Sequence, residues 1–403
     1  MAATISERAR LVEVTAYAEV REALRASDRL AVVIDDASAP VRGGTVLRID
    51  GEAHTKRRRV LNQLVLRDGH TRLREQTLAP AMERNLATLR FDGGVARFDL
   101  VDLCNRTLVE VVAALIGFDV TGRLDELVRL QSAFEDFARL RTQLGSAAPP
   151  NPDGVEGLRR AAARATKAKQ ELVERFYRPA LRERAASSAQ ARDFISLVAA
   201  HADPAFDADP DLPVRHAIID MLHAGVGTSV GAIVQTVDEL ERYFAKRPEE
   251  RALATDPEFL RGAVHETLRL HAANPAEVRC AVVDVTLSAG TRVRAGEYAA
   301  LRTGIANRDP SVFGPDADRF DPRRVVPLAT YPYGLAFGSG PHMCYGLPLA
   351  LGNDTVDGNL VRFVGRLFAA GIRKDPEQKA RYREGIAHAD LKGFETYPAI
   401  VQR

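Results

Sequence analysis

The chain has 403 residues, 46% of them hydrophobic, and its 56 basic and 54 acidic residues give a formal net charge of +2. This balance provides no overall attraction for nucleic acid or for an anionic membrane surface. Its three cysteines are odd in number and far apart in the sequence, which argues against a disulfide framework and a cysteine-rich zinc site. Because no run approaches the ~18 uncharged apolar residues of a membrane span, we expect a soluble cytoplasmic protein.

The predicted elements are mainly helical with a minor β portion, and we expect a single domain over residues 1–403. Near the N-terminus, residues 12–26 predict a strand followed by a short helix, and residues 41–49 predict an extended segment. Residues 278–301 alternate apolar and polar side chains around a turn, which is typical of antiparallel strand pairs. The glycine- and proline-rich residues 145–154 predict a loop within the domain.

A long helix is predicted over residues 213–247. Asp211 can cap its start, Pro213 suits its first turn and Pro248 ends it. Apolar residues recur at helical spacing on both sides of its middle, which predicts a helix with one face in the core.

The middle of this helix reads Ala224-Gly225-Val226-Gly227-Thr228, and a further glycine follows three residues later. Each glycine in a helix interior costs roughly 1 kcal/mol relative to alanine. One glycine would need no more than close helix packing. Three glycines beside a Thr-Ser pair favour a flat ligand lying against the helix, or a local widening of the helix.

The next helix is expected to start with a capping box at Thr255 to Glu258 and to carry Glu266 and Arg269. These two charges are neighbours because residues three apart share a helix face. A solvated surface pair would contribute little to stability. The apolar residues around the pair leave only a narrow polar stripe, so a buried pair with a third partner is the alternative.

Cys344 stands in a glycine-rich stretch, and a helix-like run begins at Tyr345. A helix N-terminus lowers the pKa of a thiol, and glycines let the backbone approach the sulfur and a flat ligand. A buried structural cysteine would not need glycines on both sides, and a zinc site would need more ligands than the neighbouring His342. A cysteine nucleophile, whose base the fold would place, stays open at this point.

Residues 337–346, Phe-Gly-Ser-Gly-Pro-His-Met-Cys-Tyr-Gly, match the haem-binding signature of the cytochrome P450 family, Phe-Gly-x-Gly-x-His-x-Cys-x-Gly, at every defined position. The chain resembles the soluble bacterial members of this family over most of its length. The resemblance implies the P450 fold, with a shortened N-terminal region, and haem b as the cofactor. It also implies that Cys344 is the thiolate ligand of the iron and that Phe337 and Gly346 contact the cofactor.

Three further stretches resemble family motifs. Glu266-x-x-Arg269 is similar to the helix-K motif, and residues 306–310 and 320–324 are similar to the family's later loop. The resemblance implies that Arg324 is the third partner of the Glu-Arg pair and that all three residues are structural.

The resemblance also implies four contacts to the haem propionates. The stretch His54-Thr-Lys-Arg-Arg58 is similar to the helix-C segment in which a histidine and an arginine bind these anions. Charged and hydrogen-bonding side chains suit such carboxylates. The four implied contacts are His54, Arg58, Arg279 and His342.

Lys56, Arg57 and Arg59 form a local basic cluster beside these residues. One interpretation is an ordinary solvated helix face. The other is a docking patch for an acidic ferredoxin or flavodoxin, the redox partner that the resemblance implies.

The long helix departs from the family pattern Ala/Gly-Gly-x-Asp/Glu-Thr. The chain keeps Ala224, Gly225 and Thr228, the last of which would help to deliver protons, but has Gly227 in place of the acid. In the family this acid helps to relay protons to oxygen, and such acid-base groups typically contribute ~10²–10⁴-fold to the rate. A substrate group or a water could supply the proton, hydrogen peroxide could be the oxidant, or the reaction could differ.

Asp220 and His223, which precede Gly227 in this helix, are candidates to replace the acid. Asp220 lies eight residues before Thr228, which places it about 80° around an α-helix with 3.6 residues per turn. We expect that this angle makes it a poor substitute. His223 is the second candidate.

The sequence therefore predicts a haem-thiolate oxidoreductase that carries out monooxygenation of a lipophilic or aromatic small molecule, using O2 and electrons from a ferredoxin-type partner. Because Gly227 replaces the acid, the alternative is atypical chemistry of the same family, namely oxidative coupling or a reaction dependent on peroxide or nitrogen oxides. A more distant alternative is a non-catalytic haem or ligand-binding protein.

Overall fold

Helices dominate the computed structural model, which describes residues 10–33, 39–65, 73–146, 152–186, 193–200, 203–353, 356–383 and 393–402. The predicted class, mainly α with a minor β portion, is confirmed. The α-helices are α1 (Tyr17–Arg25), α2 (Ala39–Arg42), α3 (Gly51–Leu61), α4 (Ala79–Ala87), α5 (Leu100–Ile116), α6 (Leu124–Ser146), α7 (Pro152–Leu172), α8 (Arg178–Ala185), α9 (Phe194–Ala199), α10 (Pro204–Ala208), α11 (Leu212–Arg215), α12 (Thr228–Lys246), α13 (Pro257–Leu270), α14 (Thr303–Ala306), α15 (Pro310–Phe313), α16 (Leu347–Leu351) and α17 (Asn359–Ala369).

Other helical turns connect several of these helices. Segments with the wider π geometry are Leu73–Leu78, Val173–Tyr177 and His216–Gly227. Segments with the tighter 3₁₀ geometry are Asn62–Val65, Pro248–Thr255 and Gly340–His342.

The strands are short and form small sheets. They are β1 (Leu11–Val14), β2 (Leu30–Val32), β3 (Val95–Asp99), β4 (Glu277–Ala281), β5 (Val285–Thr286), β6 (Arg292–Val293), β7 (Tyr298–Leu301), β8 (Gly352–Asn353), β9 (Val356–Asp357), β10 (Arg373–Lys374), β11 (Arg381–Tyr382), β12 (Phe394–Thr396) and β13 (Pro398–Gln402). β7 pairs with β1 in parallel and with β4 in antiparallel orientation, so that Tyr298 lies opposite Leu11 on one side and Cys280 on the other. β5 pairs antiparallel with β6, and β13 pairs antiparallel with β3 and β10.

The chain divides into two compact units. The first contains Ala31–Ala81 and Asn105–Gly227, and the second contains Arg10–Leu30, Met82–Cys104 and Thr228–Arg403. In the first unit α6 packs along α7 and against the segment His216–Gly227. In the second, α12, α13 and α17 pack on one another. The expectation of one domain over the whole chain stays a prediction.

The N-terminal segment forms one of the hydrophobic cores of the second unit. β1 and α1 follow each other as residues 12–26 predicted, and the strand pairs predicted over residues 278–301 are present. Side chains of β1, of α1 and of the strands β4 to β7 pack together here, Val14, Tyr17 and Leu301 among them, each at most 3% exposed. The N-terminal region thus contributes a strand and a helix to this core.

The prediction of an extended segment at residues 41–49 is wrong. α2 and turns occupy this stretch, and Gly44 has a φ of 72°, in the left-handed region that breaks a strand. The carbonyl oxygens of Gly43 and Gly44 accept hydrogen bonds from Arg215 and Arg57 at 2.7 and 2.6 Å. Side chains, rather than a neighbouring strand, satisfy these backbone groups.

Two predicted caps also differ. Asp211 precedes α11 but its carboxylate accepts a hydrogen bond from Lys169 at 2.7 Å and does not cap the helix. Helix α13 is capped by Asp256, which accepts from the Phe259 amide at 2.8 Å, one residue later than the predicted Thr255. A loop was expected at residues 145–154. Its first two residues belong to α6 and its last three to α7, and residues 147–151 lie outside the described residues.

Among the described residues one helix, Leu212–Lys246, is long and apolar enough to cross a membrane. Of its most apolar 18-residue window, 61% is buried inside the protein. A buried core helix has the same length and composition, so these features alone do not make it a membrane span.

Candidate functional site

Cys344 lies in a tight glycine-rich turn of the second unit. Its amide donates a hydrogen bond to the Phe337 carbonyl at 2.9 Å, which closes the turn. Gly338 and Gly340 have φ values of 70° and 73°, which other residues rarely adopt. A Cβ added at Gly346 would lie 3.7 Å from the Cys344 sulfur, an ordinary van der Waals contact, so Gly346 stands directly beside the thiol.

The helix after the cysteine is shorter than expected. α16 starts at Leu347 rather than at Tyr345, with Pro348 in its first turn. Cys344 therefore lies before the helix, in the turn that leads to it, and not at its first residue.

The three cysteines have different environments. Cys344 is exposed, whereas Cys104 and Cys280 are buried. Burial raises the pKa of both buried thiols, and nearby Asp99 adds to the rise at Cys104. Neither buried cysteine is suited to act as a thiolate at neutral pH. Only Cys344 offers an accessible sulfur.

The part of the chain that the structure describes contains no group of three or more His, Cys, Asp or Glu side chains that could hold a metal ion. The zinc-site alternative for Cys344 therefore has no support in these residues. A single thiolate ligand requires no such group.

Glu266, Arg269 and Arg324 meet in the interior of the second unit. The Arg269 guanidinium binds both carboxylate oxygens of Glu266, with Nε 2.7 Å from Oε2 and Nη2 2.6 Å from Oε1. Arg324 Nε lies 2.8 Å from the same Oε1. Glu266 and Arg269 are 2% and 0% exposed, so the interpretation as a solvated surface pair is wrong. These charge-assisted bonds fix α13 against the loop that carries Arg324.

Asn307 connects this buried group to the segment that precedes the cysteine. Its Nδ2 donates to the Arg269 carbonyl at 3.0 Å, and its Oδ1 accepts from the Leu335 amide at 2.7 Å. Its own carbonyl accepts from Arg269 Nη1 at 2.7 Å. Asn307 is fully buried. The sequence analysis included it in the stretch 306–310 but gave it no role.

His54 and Arg58 lie one helical turn apart on α3, in the first unit, and so share a face of the helix. His54 is buried and Arg58 is half-buried. Arg57, between them, is buried and donates to Asp203 at 2.9 Å and to the Gly44 carbonyl.

Arg57 is therefore not part of an exposed basic cluster, and its inclusion in the predicted docking patch is wrong. Lys56 and Arg59 are exposed, and Lys56 forms an ion pair with Glu52 at 2.7 Å.

Arg279 and His342 belong to the second unit. Arg279, on β4, is buried and donates to Glu277 Oε2 at 2.5 Å and to the Val278 carbonyl at 3.3 Å. His342 is half-buried in the 3₁₀ turn that precedes Cys344. The sequence analysis missed the acidic partner of Arg279.

The predicted helix 213–247 is widened in its middle. His216–Gly227 has π geometry, and Thr228 is the first residue of α12. Such π segments are rare and occur often at functional sites. Of the two interpretations favoured for the glycines, the local widening is confirmed.

Two of the glycines in this helix have very different surroundings. A Cβ added at Gly227 would lie 2.8 Å from both carboxylate oxygens of Glu135, which is closer than real Cβ atoms approach other atoms. A Cβ at Gly231 would meet nothing within 4 Å. Of these two glycines, Gly227 alone has a close neighbour, and that neighbour is the end of a flexible side chain.

Glu135, on α6, was missed by the sequence analysis. Its Oε1 accepts a hydrogen bond from Gln131 Nε2 at 2.9 Å and lies 3.1 Å from Nδ1 of His223. Gln131 is 1% exposed, while the side chains of Glu135 and His223 are about a quarter exposed. The sequence offers no sign of Glu135 beyond the absence of a side chain at Gly227.

Asp220 is engaged elsewhere. Its Oδ2 lies 2.5 Å from His216 Nδ1, and both side chains are fully buried. The predicted angle of 80° assumed an α-helix and does not apply to a π segment. The expectation that Asp220 is a poor substitute for the missing acid is consistent with this pairing.

A protein-family model described as Cytochrome P450 matches residues 7–353 of the chain. The mycinamicin IV hydroxylase/epoxidase of Micromonospora griseorubida is 31% identical over 354 residues, which cover 86% of this chain and 77% of that protein. The cytochrome P450 CYP199A2 of Rhodopseudomonas palustris is 29% identical over 332 residues, covering 82% and 71%. The structure of substrate-free CYP109E1 from Bacillus megaterium aligns with a TM-score of 0.74 at 21% identity, over 100% of this chain and 95% of that chain, and shares the fold. The chain therefore belongs to the cytochrome P450 family and is an oxidoreductase of its bacterial, haem-thiolate type.

Proposed function

We propose that the protein is a haem b-dependent monooxygenase of a lipophilic or aromatic small molecule, with Cys344 as the thiolate ligand of the iron. The observation that carries the proposal is the exposed Cys344 sulfur in a glycine turn closed by the Phe337 carbonyl. We place the enzyme in the cytoplasm, with a ferredoxin or flavodoxin as its electron donor.

The residues present fit a haem. Cys344 is exposed, and Gly346 brings no side chain of its own beside the sulfur. Positive φ angles at Gly338 and Gly340 give the turn its shape, and Ser339 between them is buried. When bound, a thiolate-ligated haem supplies activation of O2 for oxygen transfer to the substrate.

The propionates of the haem would be held by His54, Arg58, Arg279 and His342. Arg279 already binds Glu277 and the Val278 carbonyl. A guanidinium has five N–H donors, so these bonds leave donors for a further carboxylate. Glu277 would then orient Arg279 while reducing the net charge that faces the cofactor.

The buried triad has a structural role in this proposal. Glu266, Arg269 and Arg324 fix the loop, and Asn307 transfers that rigidity to Leu335, two residues before Phe337. A precisely held backbone at Phe337 keeps the cysteine amide, and therefore the sulfur, in place.

On the oxygen side, Thr228 would orient water or a proton donor, and Ala224 and Gly225 would leave room for the ligand. A Cβ added at Gly225 would still be 3.5 Å from Val112, so its close neighbours permit a small residue. The case for atypical chemistry rested on an empty position at Gly227. A carboxylate occupies that place, so the ordinary monooxygenase reaction is the better supported function.

The proposed substrate class is drawn from the reactions named for the relatives. The protein from Micromonospora griseorubida is described as a hydroxylase/epoxidase of mycinamicin IV. We propose hydroxylation or epoxidation of a lipophilic small molecule here, because both reactions insert one oxygen atom into such a substrate.

Reconstitution tests this proposal. The purified protein, loaded with haem, is combined with NADPH, a ferredoxin reductase and either a ferredoxin or a flavodoxin, and a library of lipophilic compounds is screened for shifts of the Soret band. We expect shifts with some compounds and oxygenated products from those compounds. Haem binding without NADPH consumption with either donor, or products only with hydrogen peroxide, would contradict the proposal.

A further inference from the structure

Gly227 and Glu135 are a matched pair in the first unit. The Cβ that any other residue would place at position 227 falls 2.8 Å from Glu135 Oε1 and Oε2 and 3.0 Å from Cδ. Contacts this short do not occur with real Cβ atoms, so the Glu135 carboxylate occupies the volume where a side chain of residue 227 would begin. The position has lost its own side chain and has gained a carboxylate from another helix.

We infer that Glu135 supplies the acid that Gly227 lacks and relays protons to the oxygen side of the haem. The inference rests on the proposed function, since it assigns a residue to the same reaction. Position 227 immediately precedes Thr228, so a carboxylate at this place stands next to the threonine of the motif. The acid enters from α6 instead of from the long helix itself.

Gln131 orients the Glu135 carboxylate. Gln131, one turn earlier on α6 and almost completely buried, donates to Oε1 at 2.9 Å. The side-chain amide of Gln131 stays uncharged at every pH, so it holds the carboxylate without adding a charge that varies with pH. The buried Gln131 thus positions Oε1, and the His223 ring faces the same oxygen.

His223 connects this carboxylate to water. Its Nδ1 lies 3.1 Å from Glu135 Oε1, and both side chains are about a quarter exposed. An imidazole exchanges protons readily near neutral pH. The 3.1 Å contact lacks the geometry of a hydrogen bond, so the His223 ring must first turn to point Nδ1–H at the carboxylate. A proton taken from solvent by His223 then passes from Nδ1 to Glu135 Oε1, and the carboxyl group gives it up on the oxygen side. Each proton donated is replaced from water, and the electrons come from the redox partner.

Cyanide binding to the ferric holoprotein isolates this proton transfer from turnover. Hydrogen cyanide is protonated at neutral pH but binds as the anion, so a base must accept its proton. Imidazole binds as a neutral molecule and needs no such base. The association rates of both ligands are measured by the change of the Soret band after rapid mixing, and the same samples are assayed for hydrogen peroxide released per NADPH consumed.

The variants move the acid or remove it. Glu135→Gln keeps the shape without the charge, and Glu135→Ala empties the position. The double variant Glu135→Ala with Gly227→Glu returns the acid to the long helix, while Glu135→Ala with Gly227→Ala fills space without an acid. Asp136→Asn is the matched control, because this half-exposed neighbouring acid lies 4.0 Å from Arg164 and has no part in the relay.

We expect Glu135→Gln and Glu135→Ala to slow cyanide association by at least about tenfold, the lower end of acid-base contributions. Imidazole association should stay within about twofold, and peroxide release should rise, because oxygen is then lost without its protons. Returning the acid at position 227 should recover most of the cyanide rate, whereas alanine there should not. Asp136→Asn should behave as the wild type.

Three results would overturn the inference. Cyanide rates unchanged in Glu135→Gln would show that the carboxylate accepts no proton. Equal slowing of cyanide and imidazole would assign Glu135 to ligand access, and equal recovery by alanine and glutamate at position 227 would assign it to packing. In all three cases the wild type keeps its haem spectrum. A wild-type protein that binds no haem would instead overturn the proposed function, and this inference with it.

Discussion

Two segments differ in where their functional groups come from: the cysteine segment (residues 337–346) and the wide helical segment (His216–Gly227). In the cysteine segment the residues proposed to hold the cofactor are adjacent in the chain, and its turn is closed by a bond within the segment, from Cys344 to Phe337. In the wide helical segment the decisive group, the Glu135 carboxylate, belongs to another helix. A local motif can therefore be recognised in the sequence, whereas a position in space can be filled by a side chain that is distant in the chain.

The largest expected effect concerns the cysteine segment. Cys344→Ala should abolish the thiolate type of haem spectrum in the reduced carbon monoxide complex, since the proposed ligand atom is removed. Cys280→Ala is the matched control, because this buried thiol, with its raised pKa, is not a ligand candidate. Loss of the spectrum in Cys280→Ala and its survival in Cys344→Ala would reverse the assignment.

The second effect concerns the support of that segment. Glu266→Gln leaves Arg269 and Arg324 buried without their carboxylate and should lower the free energy of unfolding by about 3–5 kcal/mol in denaturant titrations. Glu174→Gln, which loses an exposed pair with Arg178, should change it by less than about 1 kcal/mol. Comparable losses from the two variants would show that the triad is not the support described.

The third effect compares two glycines. Gly227→Ala should cost about 0.5–1.5 kcal/mol, because the new methyl group displaces the Glu135 carboxylate, the far end of a flexible side chain, from its hydrogen bond with Gln131. Gly231→Ala, with nothing within 4 Å, should instead stabilise the helix by about 0.4–1 kcal/mol. Thermal unfolding measures both. If Gly227→Ala is as well tolerated as Gly231→Ala, the Glu135 side chain does not occupy this position.

The fourth effect is a pH dependence near the cysteine segment. Burial, with a contribution from Arg261, lowers the pKa of His265 from 6.5 to about 4, and its ring packs edge-on against Tyr333. Because the folded pKa is depressed, the full contribution is present above pH ~6.5 and is lost as the pH falls from ~6.5 toward ~4. Allowing for its partial exposure, the loss should be roughly 1–2 kcal/mol.

His265→Phe should remove this slope from the free energy of unfolding between those pH values while keeping the ring contact. The wild type and the variant are compared by denaturant titration across the range. An identical slope in both proteins would place the titrating group elsewhere.

The sequence predicted what depends on neighbours along the chain. The ten residues around Cys344 and the three-residue spacing of Glu266 and Arg269 carry their geometry locally, as the turn and the two-pronged pair show. The strand pairs over residues 278–301 were predicted for the same reason, since a turn joins the segments that pair.

The remainder depended on contacts between distant residues. Residues 41–49 failed to form a strand because Arg57 and Arg215 take the carbonyls of Gly43 and Gly44. The same contact buries Arg57 and removes it from the predicted docking patch. Glu135 could not be found, because only the folded chain brings α6 to the wide helical segment.

A crystal structure of the haem-loaded protein tests the contrast between the two segments most directly. We expect Cys344 Sγ bound to the iron and the Glu135 carboxylate against Cα of Gly227, with His223 beside Oε1. Iron bound by another side chain would contradict the assignment of the cysteine segment. A Glu135 side chain turned into solvent, with the space at Gly227 empty, would contradict the claim that the missing acid is supplied from another helix.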